Sequence, residues 1–257
     1  MIQPSLAIVG FGAVGQGIRQ LFPGAVAYDP PRSIGTRAEV NACEFAMIAV
    51  PTPTRPDGSA DVSIVEEAVE WIQCKHIVLR STVPVGTTDR LRRETGKSIV
   101  FQPEYGPAST PDHPFKDLHN VRWVILGGDR GDTVPVADLY KTVFNSEIQI
   151  HQTDARTAEL TKYMENCFLA LKVTFCNEFY ELAGVLGVDY NELRELWLLD
   201  PRVGRSHTFV YPAERGFGGA CLPKDLSAIV SAARAAGYEP TLLEEVLATN
   251  RRMREAQ

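Results

Sequence analysis

The sequence predicts an α/β protein: a mostly parallel, doubly wound sheet, followed by an all-helical part with one long helix. Three observations carry this. A glycine-rich turn, "GFGAVG", stands near the N-terminus between a short apolar strand and a helical stretch. Strand-like and helix-like runs then alternate. From Thr153 the apolar period becomes helical and stays so. The expected domains are residues 1–152, carrying the sheet, and 153–257, carrying the helices.

Composition sets the outer bounds. At 257 residues the chain can hold one large domain or two modest ones. Apolar residues make up 44% and charged residues 23%, ordinary for a soluble globular protein. A net charge of −6 offers no basic surface for nucleic acid or an anionic membrane. No apolar run is long enough to span a bilayer, and no basic, signal-type leader opens the chain. Cys43, Cys74, Cys167, Cys176 and Cys221 are odd in number and scattered. They suggest neither a disulfide framework nor a metal site, and the expectation is a cytoplasmic protein with reduced thiols.

The strand "LAIV" leads into Gly10, Gly12 and Gly15, spaced GxGxxG. The first glycine permits a tight turn, the second lets a pyrophosphate approach, and the third lets the helix pack on the strand. Phe11, Ala13 and Val14 fill the turn and the helix start, whose amides and dipole favour phosphate. A second strand ends at Asp29, about 20 residues beyond the first glycine, as a Rossmann-type dinucleotide site requires. Its carboxylate would bind the ribose hydroxyls and oppose a 2′-phosphate, so NAD is expected over NADP; Arg32 weakens that preference slightly. Further strands follow at "FAMIAV", "HIVLRST", "SIVFQPE" and "WVILGG", with helical patterns such as "VSIVEEAVEWIQ" and "TTDRLRRETG" between several of them. Ligands of such a sheet lie at the carboxyl ends of its strands. Three ends carry polar chemistry there: Thr52 in "AVPTPT", Ser81 and Thr82 in "RSTVPVGTT", and Glu104 in "QPEYG". Each could also be plain turn chemistry.

The stretch "TDARTAELTKYMENCFLALKVTFCNEFYELAGVL" has no proline and reads as one helix. Lys162 and Asn166, spaced i, i+4, project together, with Val173 and Asn177 near them on the helix surface. A solvated stripe is the plainer alternative. Asp189 with Glu192 opens a further helix. Then comes "GFGGACLPKDL", which sets Cys221 after three glycines and before Lys224 and Asp225. Glycines leave the sulfur uncovered, and a nearby lysine favours the thiolate. A small buried hydrophobe in a glycine-rich turn is the competing reading.

Together "GFGAVG", "VPTPTRPDG", "RSTVPVGTT", "PEYG", "ELTKYMENCFLALKVTFCNE", "DPRVG" and "GFGGACLPKDL" resemble the nucleotide-sugar 6-dehydrogenases, in family order and over nearly the whole chain. The resemblance implies NAD-dependent four-electron oxidation of a C6 hydroxymethyl to a carboxylate, with UDP-glucose the expected sugar nucleotide. It implies Cys221 as nucleophile and Asp225 as the acid that helps activate water. Lys162 and Asn166 would stabilise the oxyanion, while Thr82 and Glu104 would order a catalytic water and the nicotinamide end. Thr52, Ser81, Thr82 and Lys224 join Gly10–Gly15 and Asp29 in the cofactor set. Glu104, Lys162, Asn166, Gly218 and Arg202 form the substrate set, Arg202 reaching across the interface of a homodimer.

Two departures accompany the resemblance. The position of a second family glutamate is Ala108, and the chain stops before the third, nucleotide-contacting domain that family members usually carry. The alternatives are therefore a truncated or degenerate relative that binds NAD without full activity, and a single-oxidation dehydrogenase of the 6-phosphogluconate or hydroxyacid type.

Overall fold

The computed structural model describes residues 5–106, 117–144 and 147–255. Strand β1 (Leu6–Val9) is four buried apolar residues that stop at Gly10. Helix α1 (Ala13–Leu21) follows the glycine turn, and β2 (Val26–Tyr28) delivers the chain to Asp29. After a short helix α2 (Arg37–Asn41) come β3 (Phe45–Ile48), α3 (Ser63–Trp71), β4 (His76–Leu79), α4 (Thr87–Thr95) and β5 (Ile99–Phe101). β6 (Trp123–Gly127), α5 (Arg130–Lys141) and β7 (Gln149–Thr153) complete the sheet.

The strand order is β2-β1-β3-β4-β5-β6-β7. All neighbours pair in parallel except β5 with β6, which meet at the single antiparallel pair Phe101–Gly127. Strands β1 and β3 are apolar throughout, and β4 is apolar after its first residue, His76, because both faces are covered. Ala7, Val9, Ile48 and Leu79 face one core with Val65 and Val69 of α3 and Leu91 of α4. Leu6, Ile8, Met47 and Val78 face a second core with Ile18 of α1 and Val136 and Leu139 of α5. The doubly wound sheet expected from the alternation of elements is the one observed.

The helical part begins with α6 (Ala155–Leu186), whose 32 residues extend about 48 Å. α7 (Tyr190–Trp197) starts at Asp189, whose carboxylate accepts from the Asn191 and Glu192 amides. α8 (Leu222–Ala235) begins directly after Cys221, and α9 (Thr241–Glu255) follows. The described chain divides into two compact units. One holds residues up to Pro56 with Ala60–Lys162; the other holds Asp57–Ser59 with Tyr163 onward. The first turns of α6 thus belong with the sheet. In the second unit Cys167, Ala170 and Val173 of α6 pack with Leu226 of α8 and Val246 of α9.

Candidate active site

In the first unit the turn after β1 is shaped for a dinucleotide. Gly10 has φ +92°, and a β-carbon there would collide with the Ala49 carbonyl beyond β3. A β-carbon at Gly15 would strike the Gly10 carbonyl. Gly12 is the opposite case: it caps α1, and nothing lies within 4 Å of where its β-carbon would stand. No side chain caps this helix and no acid sits in its first turn, so the amides of Ala13, Val14 and Gly15 are left for an anion. Asp29 Oδ2 accepts from the Phe11 amide at 2.8 Å and stands 3.9 Å from Arg32 Nε. Both contacts use Oδ2, which leaves Oδ1 to a ribose hydroxyl. Arg32 Nη1 also donates to the Phe11 carbonyl at 3.0 Å, so its guanidinium is engaged by the turn itself. Open space over Gly12, unpaired helix amides and a carboxylate at the next strand end fit NAD.

The neighbouring strand ends are knitted by hydroxyls. Thr52 Oγ1 donates to the Thr82 carbonyl at 2.9 Å, and Ser81 Oγ donates to the Val50 carbonyl at 2.7 Å. Thr52 and Ser81 are buried and Thr82 is half-buried. Glu104 pairs with Arg80 and accepts from the Gly106 amide at 2.5 Å. Arg80 was not foreseen, although it opens the quoted "RST" motif; its side chain is only 4% exposed. It donates to Tyr140 Oη at 3.2 Å, and Tyr140 in turn donates to Gln102 Oε1. Burial pulls the Arg80 pKa down, but Glu104 and Tyr140 together outweigh this and raise it. Glu104 is thus held from behind by a permanently charged, buried guanidinium. Ala108 lies outside the described residues.

The first turns of α6 are fastened to the same unit. Glu159, fully buried, accepts from the Gly86 amide at 2.5 Å, the Thr88 amide at 2.9 Å and Thr88 Oγ1 at 2.6 Å. It supplies α4 with the side-chain cap that Gly86 cannot give, in addition to Asp89 in the helix's own first turn. Burial pushes the Glu159 carboxyl up, against the pull of the Thr88 and Gly86 donors. Ala158 packs where a β-carbon at Gly127 would collide with it. One turn beyond Glu159, the Lys162 ammonium lies 5.0 Å from the centre of the Tyr105 ring. Lys162 therefore keeps company with the residue next to Glu104.

In the second unit Asp225, 1% exposed in the first turn of α8, is the hub. Its Oδ2 accepts from Asn166 Nδ2 at 2.5 Å and its Oδ1 pairs with Lys224 Nζ at 2.5 Å. Asn166 is itself buried, so this side of α6 is not a solvated stripe. Cys221 is the exposed thiol, at the N-cap of α8. The four other cysteines are buried. Burial, with the Asp225 carboxylate adding to it, pushes the Cys167 thiol up to about 12. Gly218 lies on the loop leading to Cys221. Arg202 stands apart on an exposed turn, its side chain 88% exposed and forked onto Asp200. Among the described residues no group of His, Cys, Asp and Glu could hold a metal, and no helix is long and apolar enough to cross a membrane.

Two family models match the chain. Residues 32–145 match the NAD binding domain of the UDP-glucose/GDP-mannose dehydrogenase family, and residues 156–252 match its central domain. The chain belongs to the UDP-glucose/GDP-mannose dehydrogenase family. The glycine turn at residues 10–15 precedes the matched span, so its assignment rests on the geometry above. The UDP-glucose 6-dehydrogenase of Pseudomonas aeruginosa is 33% identical over 231 residues, covering 82% of this chain and 49% of that protein. The chain spans about half the length of the curated relatives it matches. A solved UDP-glucose dehydrogenase from Pyrobaculum islandicum is 29% identical with a TM-score of 0.81, over 97% of this chain and 68% of that one. A Mycobacterium tuberculosis 3-hydroxyisobutyrate dehydrogenase, 16% identical, has a TM-score of 0.70 over 96% of this chain and 92% of that one. That likeness concerns the fold alone.

Proposed function

We propose that the protein catalyses NAD-dependent oxidation of the C6 hydroxymethyl of a nucleotide sugar, UDP-glucose first among candidates, to the carboxylate. The observation that carries this is Cys221: an exposed thiol at the N-cap of α8, four residues ahead of a buried aspartate held by Asn166 and Lys224. A helix N-terminus favours the thiolate, and a single hydride transfer would need no thiol.

NAD+, held by the glycine turn at residues 10–15 and by Asp29, would supply the hydride acceptor for each of two oxidations. In the first, the alcohol loses a C6 hydride and its hydroxyl proton, the proton passing to a water ordered by Thr82 and Glu104. Cys221 then adds through sulfur to the aldehyde carbon, giving a thiohemiacetal that can release a second hydride. The developing oxyanion is met by the Lys162 ammonium and the Asn166 amide. Loss of that hydride and the hydroxyl proton leaves a thioester. Water, activated with the help of Asp225, cleaves it to the carboxylate and returns the thiol. Two NAD+ and one water are consumed per sugar.

Residues 1–152 serve in this reading as the NAD-binding domain and 153–257 as a catalytic and dimerisation domain. Met164, Phe168, Phe175 and Val185 are exposed along α6, an apolar face suited to a two-fold contact. Arg202, whose guanidinium forks onto Asp200 on an exposed turn, would then reach the partner's substrate. Light scattering at micromolar concentration should give a dimer; a monomer contradicts this. For the activity itself, purified protein is incubated with NAD+ and a panel of UDP- and GDP-sugars. Two NADH per sugar consumed supports the proposal. One NADH per sugar would favour the single-oxidation reading, and NAD binding without turnover the degenerate one.

A further inference from the structure

We propose that Asn250, on α9, is a positioning residue that holds the cysteine loop in register for the chemistry of Cys221; the inference rests on the reading of that thiol as nucleophile. Asn250 is 6% exposed. Its Oδ1 accepts from the Phe217 amide at 2.6 Å and its Nδ2 donates to the Phe217 carbonyl at 3.0 Å. Both backbone groups of one loop residue are therefore bound by one carboxamide, 33 residues away in sequence. A carboxamide offers the donor and the acceptor side by side that this pairing needs.

The glycines around Phe217 record the same contact. A β-carbon at Gly216, whose φ is +72°, would collide with Asn250 Oδ1. One at Gly218 would stand 2.8 Å from Nη1 of Arg254, one turn further along α9. From the other side Asn177 Oδ1 accepts from the Gly216 amide at 3.1 Å and from Arg215 Nε at 2.7 Å. The Phe217 ring is buried in a cluster with Leu226 of α8 and Val246 of α9. Phe217 is thus an anchor point, and only Gly218, Gly219 and Ala220 separate it from Cys221. Two glycines in that link supply little stiffness of their own. From the α8 side Cys221 is fixed by the Asp225 amide donating to its carbonyl at 2.9 Å. From the loop side its place depends on how firmly Phe217 is held, and Asn250 holds the Phe217 backbone.

The test uses the full chain. Asn250→Asp keeps the size of the side chain and the acceptor for the Phe217 amide, but sets an acceptor against the Phe217 carbonyl. Asn250→Ala removes both bonds. In each variant hydrogen exchange at the Phe217 amide is compared with wild type, together with NAD+ affinity and the two oxidation steps, hydroxylamine trapping any aldehyde. The expected result is faster exchange at Phe217 and unchanged NAD+ affinity. The first oxidation proceeds, the second slows by about 10²-fold, and NADH per sugar falls from two towards one with an oxime product. A merely structural role would lower both steps and NAD+ affinity together, and that result overturns the proposal. So does wild-type production of two NADH per sugar in both variants. Cys221→Ala, run in parallel, separates the two readings. If it still yields acid at the wild-type rate, the thiol reading fails; if it does not while the Asn250 variants do, only the positioning inference fails.

Discussion

Replacing Glu159 with alanine tests how the start of the Lys162 helix is held. The carboxylate receives three hydrogen bonds from Gly86 and Thr88 at the start of α4, and no solvent reaches it. Hydrogen bonds to a charged group contribute roughly 1.5–3 kcal/mol each, so the three together come to roughly 5–9 kcal/mol before any discount. The carboxylate gave up water to be buried, which costs several kcal/mol and is the reason its pKa is pushed up. The difference leaves about 3 kcal/mol of destabilisation in Glu159→Ala. In a chain of this length that corresponds to a fall in Tm of about 6–12 °C. Glu159→Gln is the sharper variant, because its amide keeps one acceptor but turns a donor towards a backbone N–H. Thermal unfolding followed by circular dichroism, with urea titration alongside, reads both. A loss below about 1 kcal/mol in Glu159→Ala, or a Glu159→Gln protein as stable as wild type, would refute the anchoring argument.

Other consequences can be checked with equal economy. Asp29 at the ribose position should make NAD+ strongly preferred over NADP+ in kcat/KM; equal use of both would show that Arg32, despite its contacts to the turn, decides the choice. Lys162→Ala should slow both hydride steps by about 10²–10³, because each changes charge on the C6 oxygen; an effect confined to one step contradicts the oxyanion role. Burial, aided by the charge of Lys75, pulls the His76 pKa below its ordinary 6.5. The unfolded chain then takes up a proton that the folded ring refuses, so stability should fall as pH drops from about 6.5 through the lowered value. Urea melts at pH 7 and pH 5.5 should show this loss reduced in His76→Leu, and an undiminished loss would assign it elsewhere.

The parts of the site that were legible in sequence are those set by local spacing. The glycine turn and Asp29 belong to consecutive elements, and Asp225 lies one helical turn behind Cys221. What sequence could not show are partners fixed only by tertiary packing. Arg80 enters the sequence only as the first letter of a motif, yet it is buried behind Glu104, where Tyr140, sixty positions away, accepts from it. Asn177, read as part of a possible solvated stripe, is buried and clamps Gly216. The glycines of this loop are expected to leave the sulfur uncovered, and Cys221 is exposed; what the sequence does not show is that Gly216 and Gly218 also stand where Asn250 and Arg254 press on the loop. The fold divides the same way. Strands β1, β3 and β4 announce themselves by their apolar runs. Strand β7, "QIHQT", is a polar edge strand with most of its residues exposed, and nothing in its composition marks it. Helix α5 is masked by Pro135 within it.

The role of Cys221 is tested most directly by one count: NADH formed and sugar acid produced per sugar nucleotide consumed, by wild-type protein and by Cys221→Ala. The predicted result is two NADH and one acid per sugar for wild type. For the alanine variant it is NAD+ binding without completion of the second oxidation. Full acid at the wild-type rate from Cys221→Ala would contradict it, leaving the thiol a packing residue and the four-electron mechanism without its nucleophile.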